Sequence, residues 1–500
     1  MTLQTASGER VPVIVGVGQI NDRPPDPYLG LDSAALMEKS LILAEADSRC
    51  RFLDKIDWLG VENQISQPCV DIHEQIAQRL PRRPATVYLT EEPSGDGPVR
   101  LLNEAADRIA SGEVEVAAIV GAEAMRTAMR LAREAGAQGA ENPLLAESQS
   151  RATSLADRYG LLTPLDVYPL YENATRAAWN LSLNDAQVET AEIWSGFSRT
   201  ASANPHAWLR DPLTPDDILR VTADNRRLSH PYTKLMVANN NVNQGAAVLI
   251  TSLDHALSVG IPESAVVTVQ RGAAARESAD FLRRDGFARS PAMEASIAKA
   301  LEFNRLTPDE LDCVELYSCF PCVPKMARRI LDWPLDRPHS VYGGLTFGGG
   351  PIGNCMMHAI AAMVMRLRGG EKHGLIVANG GYMTYFHSIV LSGGVQSIGA
   401  VRQSCDVQNA ADILRGGAPP LLDHYEGPAL VETFMLPIAR AGDPKDATIV
   451  ARTPSGGRVL AQLSREERGL LDQVTNGSLE LVGQTGLIKA AGSELLRWSI

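Results

Sequence analysis

The sequence predicts an α/β protein built from two similar halves and completed by a small all-β domain. Three observations carry that expectation. Buried-strand and amphipathic-helix patterns alternate along the chain, and the alternation is repeated in a second series of similar order. Beyond about residue 401 both give way to short alternating segments between Gly, Pro and Asp turns.

In the first half, residues 11–19 (VPVIVGVGQ) read as a buried strand ended by a turn. The segment DSAALMEKSLILAEAD follows with apolar positions at helical spacing and Asp32 as its N-cap. A second strand falls in IDWLGVEN, a helix spans about 99–110 and stops at Ser111-Gly112, and a strand covers 116–120. Residues from about 135 to 221 break the rhythm with Pro-rich, aromatic-containing text such as LLTPLDVYPLYENA, the mark of an inserted, mostly helical subdomain. NQGAAVLITS resumes the sheet. The second half repeats the grammar: a helix, a helix start and a strand in SPAMEASIAKALEFNRLTPDELDCVELYSCF, a helix in CMMHAIAAMVMRLRGG, and strands in HGLIVANGG and FHSIVLSGG. In the tail, PALVETFMLPIAR, DATIVARTPSGGRVLAQLS and SLELVGQTGLIKAA suggest a β-barrel or sandwich packed on the body, with no long helix. The expected units are therefore residues 1–252 with the insertion at about 135–221, residues 253–400, and residues 401–500.

Composition narrows the function classes. The 500 residues are 45% hydrophobic and carry 47 basic against 59 acidic side chains, a formal charge of −12. That balance argues against a nucleic-acid binder with a dominant basic surface, while leaving room for a local basic patch. Seven cysteines, an odd number with a single C-x-x-C pair at Cys319 and Cys322, fit a reducing cytoplasm better than secretion. No apolar run reaches the roughly 18 residues of a membrane span, so no membrane partner is expected.

GGLTFGGGPIGN, residues 343–354, contains the spacing Gly-x-Gly-x-x-Gly at Gly348, Gly350 and Gly353. A dinucleotide loop belongs after the first strand of a βαβ unit, whereas this stretch lies deep in the second half; the spacing alone is a weak signal. Together with IASGEVEVAAIVGAEAM, NQGAAVLITS, VELYSCF and LIVANGG, it resembles in order and separation the landmarks of the thiolase superfamily. The similarity covers about residues 11–394 and is nearest to the sterol-carrier-protein-type thiolases and thiolase-like proteins, whose additional C-terminal barrel the tail resembles. The resemblance implies the thiolase fold: two βαβαβαββ halves in a five-layer αβαβα arrangement, an inserted loop domain and here an OB-like barrel.

Against that family's pattern the chemistry has changed. The nucleophilic cysteine position falls on Gly95 in EEPSGDGPV, beside Ser94. The Gly-His-Pro histidine is replaced at Gly350-Pro351, the Cys-x-Gly turn becomes Ala378-Asn379-Gly380, and the Asn/His of the fourth motif becomes Tyr317. An acyl-cysteine intermediate is thereby disfavoured, and Ser94 lacks a visible base, so its expected role is local hydrogen bonding. The candidate catalytic residues are Tyr317 as proton donor or acceptor, Asn379 as amide donor, His358 on the helix after the Gly-rich loop, and His387 as a base. Each has a plainer reading as a buried, hydrogen-bonded core residue. Candidate substrate contacts are Ser94, Gly95, Asn240, Asn241, Asn243, Cys319, Tyr342, Gly350 and Asn354, with the three asparagines equally readable as a turn. Backbone N–H groups around 349–353 are candidate oxyanion donors. Arg226 and Lys234, with Arg227 between them, are candidate contacts for coenzyme A phosphates, against the plainer reading of solvated surface charge. No metal is expected.

The resemblance implies an enzyme of the acyltransferase class acting on coenzyme A thioesters in lipid or aromatic breakdown. The expected reaction is direct attack of coenzyme A on a β-keto acid or 3-ketoacyl-CoA, giving an acyl-CoA. The alternatives are retro-aldol cleavage of a hydroxyacyl-CoA, and a non-catalytic acyl-CoA- or lipid-binding protein that keeps only the fold. A homodimer or a monomer is expected, in the cytoplasm.

Overall fold

The computed structural model describes residues 10–67, 71–134, 154–395, 404–490 and 495–500. The expected start of the insertion near residue 135 and the junction at 400 and 401 lie outside the described residues. The strands of the body are β1 (Pro12–Asn21), β2 (Trp58–Val61), β3 (Thr86–Leu89), β4 (Val116–Ala124), β5 (Arg227–His230), β6 (Tyr232–Thr233), β7 (Asn243–Ser252), β8 (Val267–Arg276), β9 (Cys313–Leu316), β10 (His373–Gly380) and β11 (Tyr385–Gly393). Apart from β5 and β6, they form one run in the order β3-β2-β4-β7-β1-β8-β11-β10-β9. The two halves are visible in this order: β2-β4-β7-β1 is mirrored by β9-β10-β11-β8. They meet where β1 and β8 pair antiparallel at Val13–Thr268 and Ile14–Val267.

Four helices complete the layers. Helix α1 (Ser33–Ser48) covers the outer face of the first half, and its N-cap is Asp32, whose Oδ1 accepts the Ala35 N–H at 2.7 Å, as its sequence predicts. Helix α2 (Gly97–Ser111) and a later helix, Cys355–Arg368, lie side by side between the half-sheets, and each packs on strands of both. Helix Pro291–Asn304 covers the outer face of the second half. The result is the five-layer αβαβα thiolase fold. Its central helix Cys355–Arg368 buries residues on all sides, among them Met356, Met357, Ile360 and Met363, because it faces a sheet above and below.

The insertion is helical, as expected, with α3 (Pro164–Ala178) and α4 (Leu183–Ala203), and Pro-capped short turns around them. The tail forms β13 (Gly427–Pro437), β14 (Ala447–Arg452), β15 (Arg458–Leu463), β16 (Thr485–Ala490) and β17 (Leu496–Ser499), after a short β12 (Leu421–Leu422). Pairing runs β13-β14-β15-β17-β16 and back to β13, with β15 and β17 parallel, which closes a five-stranded Greek-key barrel of OB type. Two elements depart from the all-β expectation: a helix, Gln408–Leu414, precedes β12, and a helix, Arg468–Asn476, joins β15 to β16, with its Leu471 and Val474 closing the barrel core.

The barrel is bonded to the body. Its β13 pairs with β5, which follows the insertion, at Leu436–His230 and Pro437–Ser229. Asn173 Nδ2 donates to the Phe434 carbonyl at 3.0 Å, and Thr433 Oγ1 donates to the Leu170 carbonyl at 2.6 Å. The fully buried Arg458 spans the seam, pairing with Glu432 and donating to the carbonyls of Leu282 and Arg284. Among the described residues no helix is long and apolar enough to cross a membrane, and no group of three or more His, Cys, Asp and Glu side chains is placed to hold a metal.

Candidate functional site

The topology brings the sequence landmarks to one place. The loop before α2 carries Ser94 and Gly95, the end of β9 carries Tyr317, β10 ends at Asn379 and Gly380, and the Gly-rich loop leads into helix Cys355–Arg368. Both central helices therefore start at this point, with their unpaired N–H groups and positive dipole ends converging.

Tyr317 occupies its centre. A Cβ on Gly95 would stand 2.2 Å from the Tyr317 hydroxyl oxygen and 2.3 Å from the Asn379 carbonyl oxygen, so glycine is the residue that fits here. The volume in which a nucleophilic side chain would begin is thus filled by the phenol. Tyr317 is only 7% exposed, and the Cys355 thiol donates to its hydroxyl at 3.7 Å. Asn379 is buried; its Nδ2 donates to the Tyr168 hydroxyl at 3.0 Å and approaches Cys319 Sγ at 3.9 Å, while its Oδ1 has no partner. Tyr168 in turn donates to the Gly381 carbonyl at 2.9 Å and stacks on Phe320 with ring centroids 4.4 Å apart.

Burial sets the electrostatics. It pushes the Tyr317 phenol well above its ordinary range and the thiols of Cys319 and Cys355 up to about 12, so all three are neutral near pH 7. Cys319 and Cys322 are buried, which fits small apolar residues rather than reactive thiols. Two carboxyls that the sequence reading missed lie beside the cluster. Glu62, at the end of β2, accepts the Ser94 N–H at 2.9 Å, and burial raises it well above the usual carboxylate range. Asp96 accepts the Ser94 hydroxyl, and burial raises it too. The only sequence signal for Asp96 was its place two residues after Ser94; Glu62 and Tyr168 gave none, because their proximity is created by the fold.

The other candidates divide. Gly350 and Asn240 adjoin: a Cβ on Gly350 would stand 3.0 Å from Asn240 Oδ1, and the Gly350 N–H donates to the Asn239 carbonyl at 2.9 Å. Asn354 is buried near Glu62, with neither side-chain oxygen nor nitrogen partnered. Tyr342 is buried and donates to the Gly349 carbonyl at 3.3 Å. Gly349 itself has φ +110° and lies against Gln244, whose Nε2 donates to the Gly348 carbonyl at 2.9 Å. Three asparagine and histidine candidates are engaged elsewhere. Asn243 bonds Thr127 through both side-chain ends, at 2.8 and 3.2 Å, Asn241 points into solvent, and His358 Nδ1 lies 2.9 Å from Gln19 Oε1. His387 is buried near Gly272 and Asn103, with Nε2 unpartnered. Burial lowers both imidazoles to about 3, and among the described residues neither is hydrogen-bonded to Tyr317.

Arg226 and Lys234 lie in a different place. With Arg133, Arg227 and Arg440 they line a cavity of about 920 Å³ between the barrel and the segment where the insertion ends, in which Asp224 is the one acidic wall residue among the described residues. Among the described residues no salt bridge engages any of these five cations. Arg440 comes from the turn between β13 and β14 of the barrel, the loop that OB folds present to ligands.

A family model described as the thiolase-like protein type 1 additional C-terminal domain matches residues 406–493. The fold and this appended domain make the chain a member of the thiolase superfamily. Within it the chain is of the SCP2-thiolase-like type 1 kind. The crystal structure of a monomeric SCP2-thiolase-like protein type 1 from Mycobacterium smegmatis is similar over 98% of this chain and 99% of its own, at 27% identity and a TM-score of 0.81. Human mitochondrial 3-ketoacyl-CoA thiolase (16% identity, TM-score 0.58, 77% of this chain and 99% of its own) and the Ltp2-ChsH2(DUF35) aldolase (16%, 0.58, 78% and 99%) share the fold. No curated protein gives a significant match.

Proposed function

We propose that this protein binds coenzyme A or its thioesters at the seam between the insertion and the barrel, and does not carry out the carbon–carbon bond chemistry of thiolases. The reading rests on one contrast: the Tyr317 phenol fills the nucleophile volume at Gly95, while five cationic side chains surround an open cavity elsewhere. A polyanionic nucleotide is the natural occupant of such a cavity on a chain whose net charge is −12. Direct attack of coenzyme A on a β-keto substrate and retro-aldol cleavage both require a carbonyl beside the phenol. The Gly95 backbone and the Asn379 carbonyl already stand there. The nearby imidazoles, lowered to about 3, are also weak bases.

Calorimetry with coenzyme A and acetyl-CoA tests the reading. Wild type should bind, and Arg226→Glu with Arg227→Glu should weaken binding at least about 100-fold, since charge-assisted hydrogen bonds are each worth about 1.5–3 kcal/mol. Unchanged affinity in the double variant would remove the cavity from consideration. The same protein incubated with coenzyme A and a panel of β-keto acids, 3-ketoacyl-CoAs and hydroxyacyl-CoAs should give no product. A new thioester, or release of an aldehyde or ketone, would restore the catalytic alternatives.

A further inference from the structure

A second, smaller cavity of about 150 Å³ adjoins the cationic one, and the two share Val221 and Arg227 as walls. Its lining is mainly apolar: Leu219 and Met236 come from the insertion side, and Ile438 comes from the end of the barrel's first strand. Thr475, on the barrel helix Arg468–Asn476, closes another side. A buried histidine borders the slot. His230 is 7% exposed, its ring stacks on Phe434 of the barrel with centroids 6.0 Å apart, and its buried Nε2 has no hydrogen-bond partner.

We infer that the additional barrel completes an acyl subsite: the short acyl group of a coenzyme A ester lies in this slot, with its pantetheine arm reaching it from the cationic cavity. The inference rests on the coenzyme A reading above and deepens it. Three observations converge on this occupant. The slot shares walls with the cationic cavity, so a nucleotide bound there has its arm beside the slot. Its walls suit methylene groups, and its volume suits a short acyl group rather than a long chain or fused rings. The imidazole, which burial and the neighbouring Arg176 lower to about 3, stays neutral near pH 7 and adds no charge to the wall of the slot. The old catalytic cluster has no part in this arrangement. The barrel supplies Arg440 to the nucleotide end and Ile438 and Thr475 to the acyl end, which gives the added domain a binding role beyond covering the insertion.

Titration calorimetry of the full chain with free coenzyme A, acetyl-CoA, butyryl-CoA and palmitoyl-CoA tests the inference. Wild type should bind the two short esters about tenfold more tightly than free coenzyme A, the effect of withdrawing a few methylene groups from water, with no further gain for palmitoyl-CoA. Thr475→Trp fills the slot from the barrel and Leu219→Trp fills it from the opposite wall, and thermal unfolding reports whether each is folded. Both should keep the affinity for free coenzyme A within about twofold and lose the preference for the short esters. Equal affinity of wild type for free coenzyme A and its short esters, or a preference that survives both tryptophans, overturns the subsite alone. Absence of any binding of free coenzyme A overturns the reading beneath it, and the subsite with it.

Discussion

The cluster around Tyr317 and the cavity between insertion and barrel hold polar side chains under opposite conditions. At the first, two helix N-termini converge on neutral buried phenols and thiols and on carboxyls that burial raises, and the space between them is taken by their own atoms. At the second, arginines and a lysine are solvated, unpaired with acids among the described residues, and arranged around open volume. The first place is where the superfamily's architecture directs its dipoles; the second exists because a domain was added. The difference teaches that a fold can preserve the electrostatic frame of a reaction while the side chains inside it withdraw the room the reaction needs.

The largest expected effect breaks the open side of that comparison. Arg458 is fully buried, donates to two body carbonyls, and lies over Phe287 with 4.9 Å between guanidinium and ring centre. Arg458→Ala leaves those carbonyls and one side of Glu432 unpaired, and should cost about 3–5 kcal/mol in urea unfolding. With the barrel's grip loosened, Arg440 and Ile438 are no longer fixed, so coenzyme A affinity should fall as well. A loss below about 1 kcal/mol would mean that the guanidinium does not hold the seam.

Much of the fold was legible because its signals are local. Asp32 caps its helix through a side chain three residues from the N–H it accepts, and the two halves declare themselves by repeated strand and helix periods. The substitutions at Gly95, Tyr317 and Asn379 were equally readable, since the family's landmarks fix their order along the chain. Their consequence was not. Whether a tyrosine at the end of β9 opens onto a cleft or fills it depends on the 2.2 Å approach to Gly95, a contact between residues more than 200 positions apart that no period or spacing encodes. For the same reason Glu62 and Tyr168 went unseen, and the histidines were weighted by type when burial decided their state. Arg440 was invisible as a partner of Arg226 until β13 was seen to extend β5 and bring its hairpin to the insertion.

A smaller effect sharpens the closed side. Gly95→Ala places a Cβ inside contact distance of the Tyr317 hydroxyl and the Asn379 carbonyl, and overpacking of this kind should cost about 1–3 kcal/mol. In a Tyr317→Ala background the phenol is gone, and the same substitution should cost less by at least about 1 kcal/mol. Additive costs in the double-mutant cycle would show that the two residues do not compete for one volume. The same collision predicts that Gly95→Cys gives no acyl-enzyme with a 3-ketoacyl-CoA, a result readable by mass spectrometry of the intact protein.

The smallest effect asks whether water reaches the central layer at all. His387 lies there against Gly272 and Asn103, and burial, reinforced by the charge of Arg100, lowers it to about 3 from an ordinary value of 6.5. As pH falls below 6.5 the unfolded chain takes up a proton on this ring and the folded chain does not, so the folded state loses stability, until the folded ring protonates near pH 3. The loss approaches about 1.4 kcal/mol per pH unit inside that window. Wild type and His387→Asn should therefore run parallel in urea unfolding above pH 7 and diverge below 6.5, with wild type falling faster. Other buried groups, including Glu315, which burial raises to about 8, titrate alike in both proteins and cancel in the difference. Curves that stay parallel down to pH 4.5 would mean the imidazole protonates in the folded protein as freely as in the unfolded one. Water would then enter beside α2, and the central layer would not be the sealed region that its packing describes.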